Sequence, residues 1–211
     1  MIIRFIICLI VGYALGCFQT GFIVGKANKM DIREHGSGNA GTTNAFRTMG
    51  KKAGIITFLG DFLKAFIPIM LIKYVIFPGQ EYTELLEMVF GVGCVMGHNF
   101  PFYLKFKGGK GVAVTAGVFI GIDPWIAIPG FLIFGLVAFF TKYVSLASLT
   151  AVCICPLWVV VTRFGKYETG IYAAMIVVSL LFLVSAIIRH YPNIKRLMNG
   201  TENKIGEKAK T

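Results

Sequence analysis

Residues Gly36 to Lys52, GSGNAGTTNAFRTMGKK, gather four glycines, one serine, three threonines, two asparagines, one arginine and two lysines into seventeen positions. Hardly any of these side chains can build a core. Glycine lets backbone N–H groups turn toward a bound group, and arginine offers a planar fork of donors suited to phosphate or carboxylate. Gly36, Ser37, Gly38, Asn39, Thr43 and Arg47 are therefore candidates for an oxyanion-binding loop. The glycine turn runs into TTNAFRTMG, where Thr42, Thr43 or Asn44 would cap a short helix and leave its first N–H groups facing an anion.

Two further clusters have the same character. GHNFPFYLKFKGGKGVA sets Gly108, Gly109 and Gly111 around Lys110 and opens into an apolar run, so a helix N-terminus adds positive potential there. Lys105 and Lys107 read as snorkelling interfacial charges. In HYPNIKR, His190 and Asn193 stand three apart beside Arg189, Lys195 and Arg196. Ser145 and Ser148, close to Lys142, either donate to a phosphate or bond back to helix carbonyls. Familiar alternatives fail on spacing. GSGNAG follows an apolar helix with no βαβ unit around it, and the Gly-Lys pairs lack the rest of a P-loop. The positions five after His35, His98 and His190 are Ala40, Tyr103 and Lys195, so no H-x-x-x-x-D pair is present.

The elements that hold these clusters are membrane helices. The 211 residues are 56% hydrophobic and 15% charged, with mean hydropathy +0.73, which is typical of a polytopic membrane protein rather than a soluble domain. Apolar runs at Phe5–Gly25, Gly54–Phe77, Leu85–Tyr103, Val112–Ile122, Trp125–Phe140, Tyr143–Thr162 and Thr169–Ile188 predict an all-α fold with seven transmembrane helices, Asp123-Pro124 dividing the fourth from the fifth. Val112–Ile122 is short, so it is expected to begin inside the glycine loop or to lie against protein. The Gly91–Gly97 run reads as small-residue helix packing, and Asp61 with Lys64 as a satisfied pair on one helical face.

Seven crossings put Lys26 to Lys52, Lys105 to Lys110, Lys142 and the tail on one side, which then holds 16 of the 21 basic residues. The positive-inside rule makes that side cytoplasmic, with the N-terminus outside and the C-terminal tail, about 190–211, inside. The same rule accounts for much of the net charge of +11. The basic residues are dispersed among glycines rather than interleaved with aromatics, which disfavours nucleic acid. Cys8, Cys17, Cys94, Cys153 and Cys155 lie in apolar runs, without disulfide or zinc spacing, and read as free, buried thiols. No acidic cluster suggests a metal, and no cofactor is expected.

Three long motifs in series, GSGNAGTTNAFRTMGKKAG, GHNFPFYLKFKGGKGVA and HYPNIKRLMNGTENKIG, resemble those of the bacterial acyl-phosphate:glycerol-3-phosphate acyltransferases of the PlsY type. The resemblance covers nearly the whole chain as one domain, 1–211. Ala40 departs from it, many members carrying proline there. It implies a plasma-membrane enzyme, functional as a monomer, that moves an acyl group from fatty acyl phosphate to the 1-hydroxyl of glycerol 3-phosphate, giving lysophosphatidic acid and phosphate. Carried over, Ser37, Arg47, His190 and Asn193 are the catalytic candidates, and Gly108 to Gly111 bind glycerol phosphate. Glu202 matches a glutamate of structural role. An acyl phosphate is already activated, so positioning and charge stabilisation suffice. Arg47 and Lys110 would hold the two phosphates, Ser37 and backbone N–H groups the developing negative charge, and His190 or a substrate phosphate would take the hydroxyl proton. The competing reading is an organic-phosphate transporter or channel.

Overall fold

The computed structural model describes residues 1–206; the last five residues of the expected tail, 207–211, lie outside it. The described chain is helical throughout: α1 (Ile2–Gly16), α2 (Thr20–Ala27), α3 (Thr42–Leu71), α4 (Thr83–Asn99), α5 (Val112–Ile122), α6 (Pro124–Thr141), α7 (Val144–Val152), α8 (Ile154–Thr162) and α9 (Thr169–Met198). Among the described residues six helical stretches are long and apolar enough to cross a membrane: 2–27, 42–76, 83–104, 124–141, 144–162 and 169–198. The seventh expected crossing, Val112–Ile122, is only 11 residues. At 1.5 Å per residue it rises about 16 Å, roughly half the hydrocarbon thickness. It starts at the glycine loop and is buried against α3 and α4.

The bundle is built around α4, whose sides are nearly all covered. Phe90 and Leu86 of α4 pack with Val114 and Val118 of α5 and with Met175 and Phe182 of α9. On the other side α4 lies against α1, backbone to backbone. A Cβ at Gly16 would come within 2.1 Å of the Cys94 carbonyl, and one at Gly97 within 2.1 Å of the Tyr13 carbonyl. Only glycine allows that approach, and the expected small-residue packing of Gly91–Gly97 is found.

Several expectations need correcting. The first apolar run is not continuous: it breaks between Gly16 and Thr20, where Lys64 Nζ takes the carbonyls of Gly16 (3.2 Å) and Phe18 (2.5 Å). The second crossing starts earlier than expected, because the helix that carries Arg47 merges into it at Thr42 across a kink at Gly50 (φ 83°). The N-cap of that helix is Gly41, not Thr42, Thr43 or Asn44. Of the five thiols, Cys153 is exposed rather than buried. It sits at the junction of α7 and α8 and faces outward, and an apolar run does not say which face of a helix is covered.

Candidate functional site

The three glycine-rich or basic clusters meet on one face of the bundle. The first loop is tied by Asn44. Its Nδ2 donates to the carbonyls of Ile32 (3.1 Å), His35 (2.9 Å) and Asn39 (2.9 Å), while its Oδ1 accepts from Ser37 N (2.8 Å). Gly36 has φ +61°, and a Cβ on it would stand 2.3 Å from Asn44 Oδ1. The glycine is required there by both conformation and space. Asp31 caps the turn before the loop and takes two bonds from Arg33 (3.0 and 2.7 Å). Chiefly through that hydrogen bonding, its pKa falls to about 2.

The second loop is clamped from both sides. Gly109 N donates to the His98 carbonyl (3.0 Å), and Arg189 forks onto the carbonyls of Gly109 (2.9 Å) and Gly108 (2.8 Å). The His98 ring lies directly beneath, since a Cβ on Gly109 would meet its Nε2 at 2.0 Å. Gly108 and Gly109 thus serve close packing, and Gly111 (φ +77°) starts α5. The free N–H groups of the first turn of α5 border the cleft described next. Lys110 projects half-buried from this loop. Burial first, and then the neighbouring Arg196, Arg189 and Arg47, push its pKa down to about 8 against the pull of Glu202.

The third cluster lies on the last turns of α9. Glu202 folds back and accepts from Asn193 Nδ2 (2.8 Å), Ser145 Oγ (3.2 Å) and Arg196 Nε (2.7 Å). His190 Nδ1 bonds the Ala186 carbonyl at 2.9 Å. A carbonyl only accepts, so Nδ1 carries the proton and a neutral ring keeps its lone pair on Nε2. Asn193 Oδ1 and Thr42 Oγ1 are buried without a hydrogen-bond partner. Ser148 bonds back to the Val144 carbonyl (2.8 Å), the second of its two expected uses.

Between the clusters lies a cleft of about 680 Å³, lined among others by Ser37, Asn39, Thr43, Arg47, Lys110 and His190. Gly111, Ser145, Ser148 and Asn193 border it as well. A second, polar cavity of about 660 Å³ shares Ser37, Asn39, Lys110 and Asn193 with it and adds Gly38, Gly108, Arg33 and Arg189. Gly36 and Gly109 border neither and act through loop geometry. A narrow apolar slot, walled by α5, α6 and α7, continues from Lys110, Ser148 and His190 toward Phe119 and Val152. The carboxylates bordering the cleft are engaged, Asp61 by Lys64 (2.9 Å) and Glu202 by Arg196 (2.7 Å). Arg47 has no hydrogen bond or ion pair among the described residues, which contain no group of three potential metal ligands either.

Sequence reasoning placed most of these side chains but missed how they are held. The sequence offers Asn44 as a cap, Arg189 as a member of the third polar cluster and Asp61–Lys64 as a satisfied pair near the loop face, without the Asn44 ties of the first loop, the Arg189 grip on the second or the contact of Lys64 with His98. Their partners are up to 81 residues away in the chain, which no local pattern reports.

A cation-bordered cleft set among apolar helices, with an apolar slot leading out of it, defines a membrane-embedded protein built for anionic amphiphiles. The family model described as glycerol-3-phosphate acyltransferase matches residues 6–200. The chain is 42% identical to a glycerol-3-phosphate acyltransferase of Alkaliphilus metalliredigens, covering 97% of each chain, and 40% identical to one of Clostridioides difficile, covering 98% of each. A crystal structure of PlsY (YgiH), an integral membrane glycerol 3-phosphate acyltransferase, in its glycerol 3-phosphate form, superposes with a TM-score of 0.80 at 35% identity, covering 96% of each chain. Its lysophosphatidic acid form gives 0.77 at 34%, covering 96% of this chain and 95% of that one. The chain belongs to the glycerol-3-phosphate acyltransferase family.

Proposed function

We infer that this chain acylates glycerol 3-phosphate at its 1-hydroxyl to give lysophosphatidic acid, with a fatty acyl phosphate as donor. The observation that carries this reading is the junction at Lys110, where the cleft, the polar cavity and the apolar slot share one wall. Family membership and the two bound forms named for the solved relatives support the acceptor and the product. A phosphate-bearing donor is supported by Lys110 at the mouth of the slot and by Arg47 in the cleft that adjoins it.

In this mechanism the acyl chain lies in the slot, and glycerol 3-phosphate enters through the polar cavity. Arg47 and Lys110 each face a phosphate, and Ser37 Oγ with the unpaired N–H groups at the starts of α3 and α5 meets the negative charge that develops on the carbonyl oxygen or the departing phosphate. Asn193 Oδ1 is an acceptor suited to a substrate hydroxyl. The 1-hydroxyl oxygen attacks the acyl carbon, its proton passes to His190 Nε2 or to a phosphate oxygen, and the carbon–oxygen bond to phosphate breaks. Phosphate is a good leaving group, so no protein nucleophile is needed. Ser145 is occupied by Glu202, whose part is to hold the third cluster in place.

The charge distribution supports seven passes, α5 being the short one sheltered by protein, in the plasma membrane of a bacterium with the loop face cytoplasmic. One domain, acting as a monomer and without cofactor, is sufficient for this chemistry. The test is detergent-purified protein given labelled glycerol 3-phosphate with palmitoyl phosphate or with a palmitoyl thioester. Lysophosphatidic acid and inorganic phosphate in equal amounts from the first donor are expected. Product from the thioester alone would overturn the donor assignment, and glycerol-phosphate flux across vesicles without any acylation would favour a transporter.

A further inference from the structure

Lys64 lies well inside an apolar helix, where an ionisable side chain is costly unless it has work to do. Its side chain is 7% exposed, and its Nζ contacts four groups: the carbonyls of Gly16 and Phe18, Asp61 Oδ1 at 2.9 Å and His98 Nδ1 at 2.9 Å. Asp61 Oδ1 also accepts from Thr20 Oγ1 (3.0 Å), and Gln19 Nε2 donates to the His98 carbonyl (2.9 Å). One ammonium group therefore joins the break between α1 and α2, the middle of α3 and the end of α4. Asp61 and His98 border the floor of the cleft, whereas Lys64 does not.

An ammonium group has no lone pair, so His98 Nδ1 must accept, and the neutral ring carries its proton on Nε2. That edge of the ring faces Gly109, and the same residue's carbonyl receives Gly109 N at 3.0 Å. The position and tautomer of His98 thus define the platform on which the Lys110 loop rests. Among the described residues Lys64 makes the only hydrogen bond to the ring, while Arg189 grips the loop by its carbonyls and does not bond the ring.

We propose that Lys64 is a positioning residue for the loop bearing Lys110, acting through His98, and that it thereby sets the affinity for glycerol 3-phosphate. The kinetic half of this rests on the function proposed above; the structural half does not. The variants are Lys64→Met, and Asp61→Asn with Lys64→Met, the second removing both charges so that no carboxylate is left buried and unpaired. Amide exchange of residues 105–112 is followed in the full-length protein, alongside the KM for glycerol 3-phosphate, the KM for the acyl donor and the melting temperature.

Both variants should exchange the Gly109 amide at least about tenfold faster and raise the KM for glycerol 3-phosphate about tenfold, the loss expected for a hydrogen bond to a charged group. The donor KM should stay within twofold. The double variant should recover melting temperature over the single one while keeping both defects, which a merely stabilising role would not do. Wild-type protection of Gly109 in the double variant would overturn the proposal. A wild-type protein that does not acylate glycerol 3-phosphate would instead overturn the function, leaving the exchange result to judge the platform.

Discussion

Two polar knots lie at opposite ends of the bundle and use the same residue types to different ends. Away from the glycine loops, Arg163 pairs with Glu84 (2.7 Å) and Asp123 (2.8 Å), Tyr167 donates to Glu84 (2.7 Å), and Lys73 donates to the carbonyls of Gly121 and Ile122. Arg163 and Lys73 both have their acceptors within the fold. On the loop face the carboxylates bordering the cleft are engaged as well, but cations remain over: among the described residues Arg47 has no hydrogen bond or ion pair, and Lys110 sits among other positive charges. At the Arg163 end the acidic group left over is a carboxyl oxygen, Glu87 Oε2, whereas the loop face is left with cations and an orphaned Asn193 Oδ1, a set suited to an anion that arrives and leaves. Buried charge alone therefore does not mark an anion site; a surplus of cations does.

The sharpest way to break this contrast is to remove one arginine from each knot. Arg47→Ala should lower kcat/KM by about two to three orders of magnitude, the scale for losing one donor to a transition-state charge, with little change in melting temperature. Arg163→Ala should do the reverse. It strands two carboxylates, costing about 3 kcal/mol and roughly 6–12 °C in melting temperature, while the rate per folded molecule stays within twofold. Equal losses of activity from the two variants would erase the distinction.

A smaller effect comes from pH. Lys110 binds phosphate only when charged, so activity limited by that contact should fall as pH rises through about 8, approaching tenfold per unit above it. Stability should move the other way. Because the folded pKa lies below the usual lysine value, the unfolded chain binds more protons between about 8 and 10.5, and stability rises with pH across that window. Parallel rate and melting profiles check both signs, and Lys110→Arg should flatten the alkaline fall in rate.

What the sequence made legible was composition out of place: glycines and cations in a chain otherwise apolar stand out because lipid-facing helices have no use for them. The i, i+3 spacing of Asp61 and Lys64 showed a pair on one face. It did not show His98, 34 residues further on, as the third member. The break after Gly16 was invisible because Gly16, Cys17 and Phe18 are themselves apolar, and hydropathy records side chains, not the carbonyls that Lys64 collects. Asn44 looked like a cap because asparagine next to a helix start usually is one. Its side chain instead adds to the sparse backbone pairing of the loop, of which Gly38 N to the His35 carbonyl (3.1 Å) is one bond.

The most direct measurement is calorimetric titration of glycerol 3-phosphate into the detergent-solubilised wild type, Arg163→Ala and Lys110→Ala proteins at one pH below 8. The surplus-cation account predicts the same affinity for wild type and Arg163→Ala and at least about tenfold weaker binding by Lys110→Ala. Undiminished binding by Lys110→Ala, or an equal loss in Arg163→Ala, would contradict it.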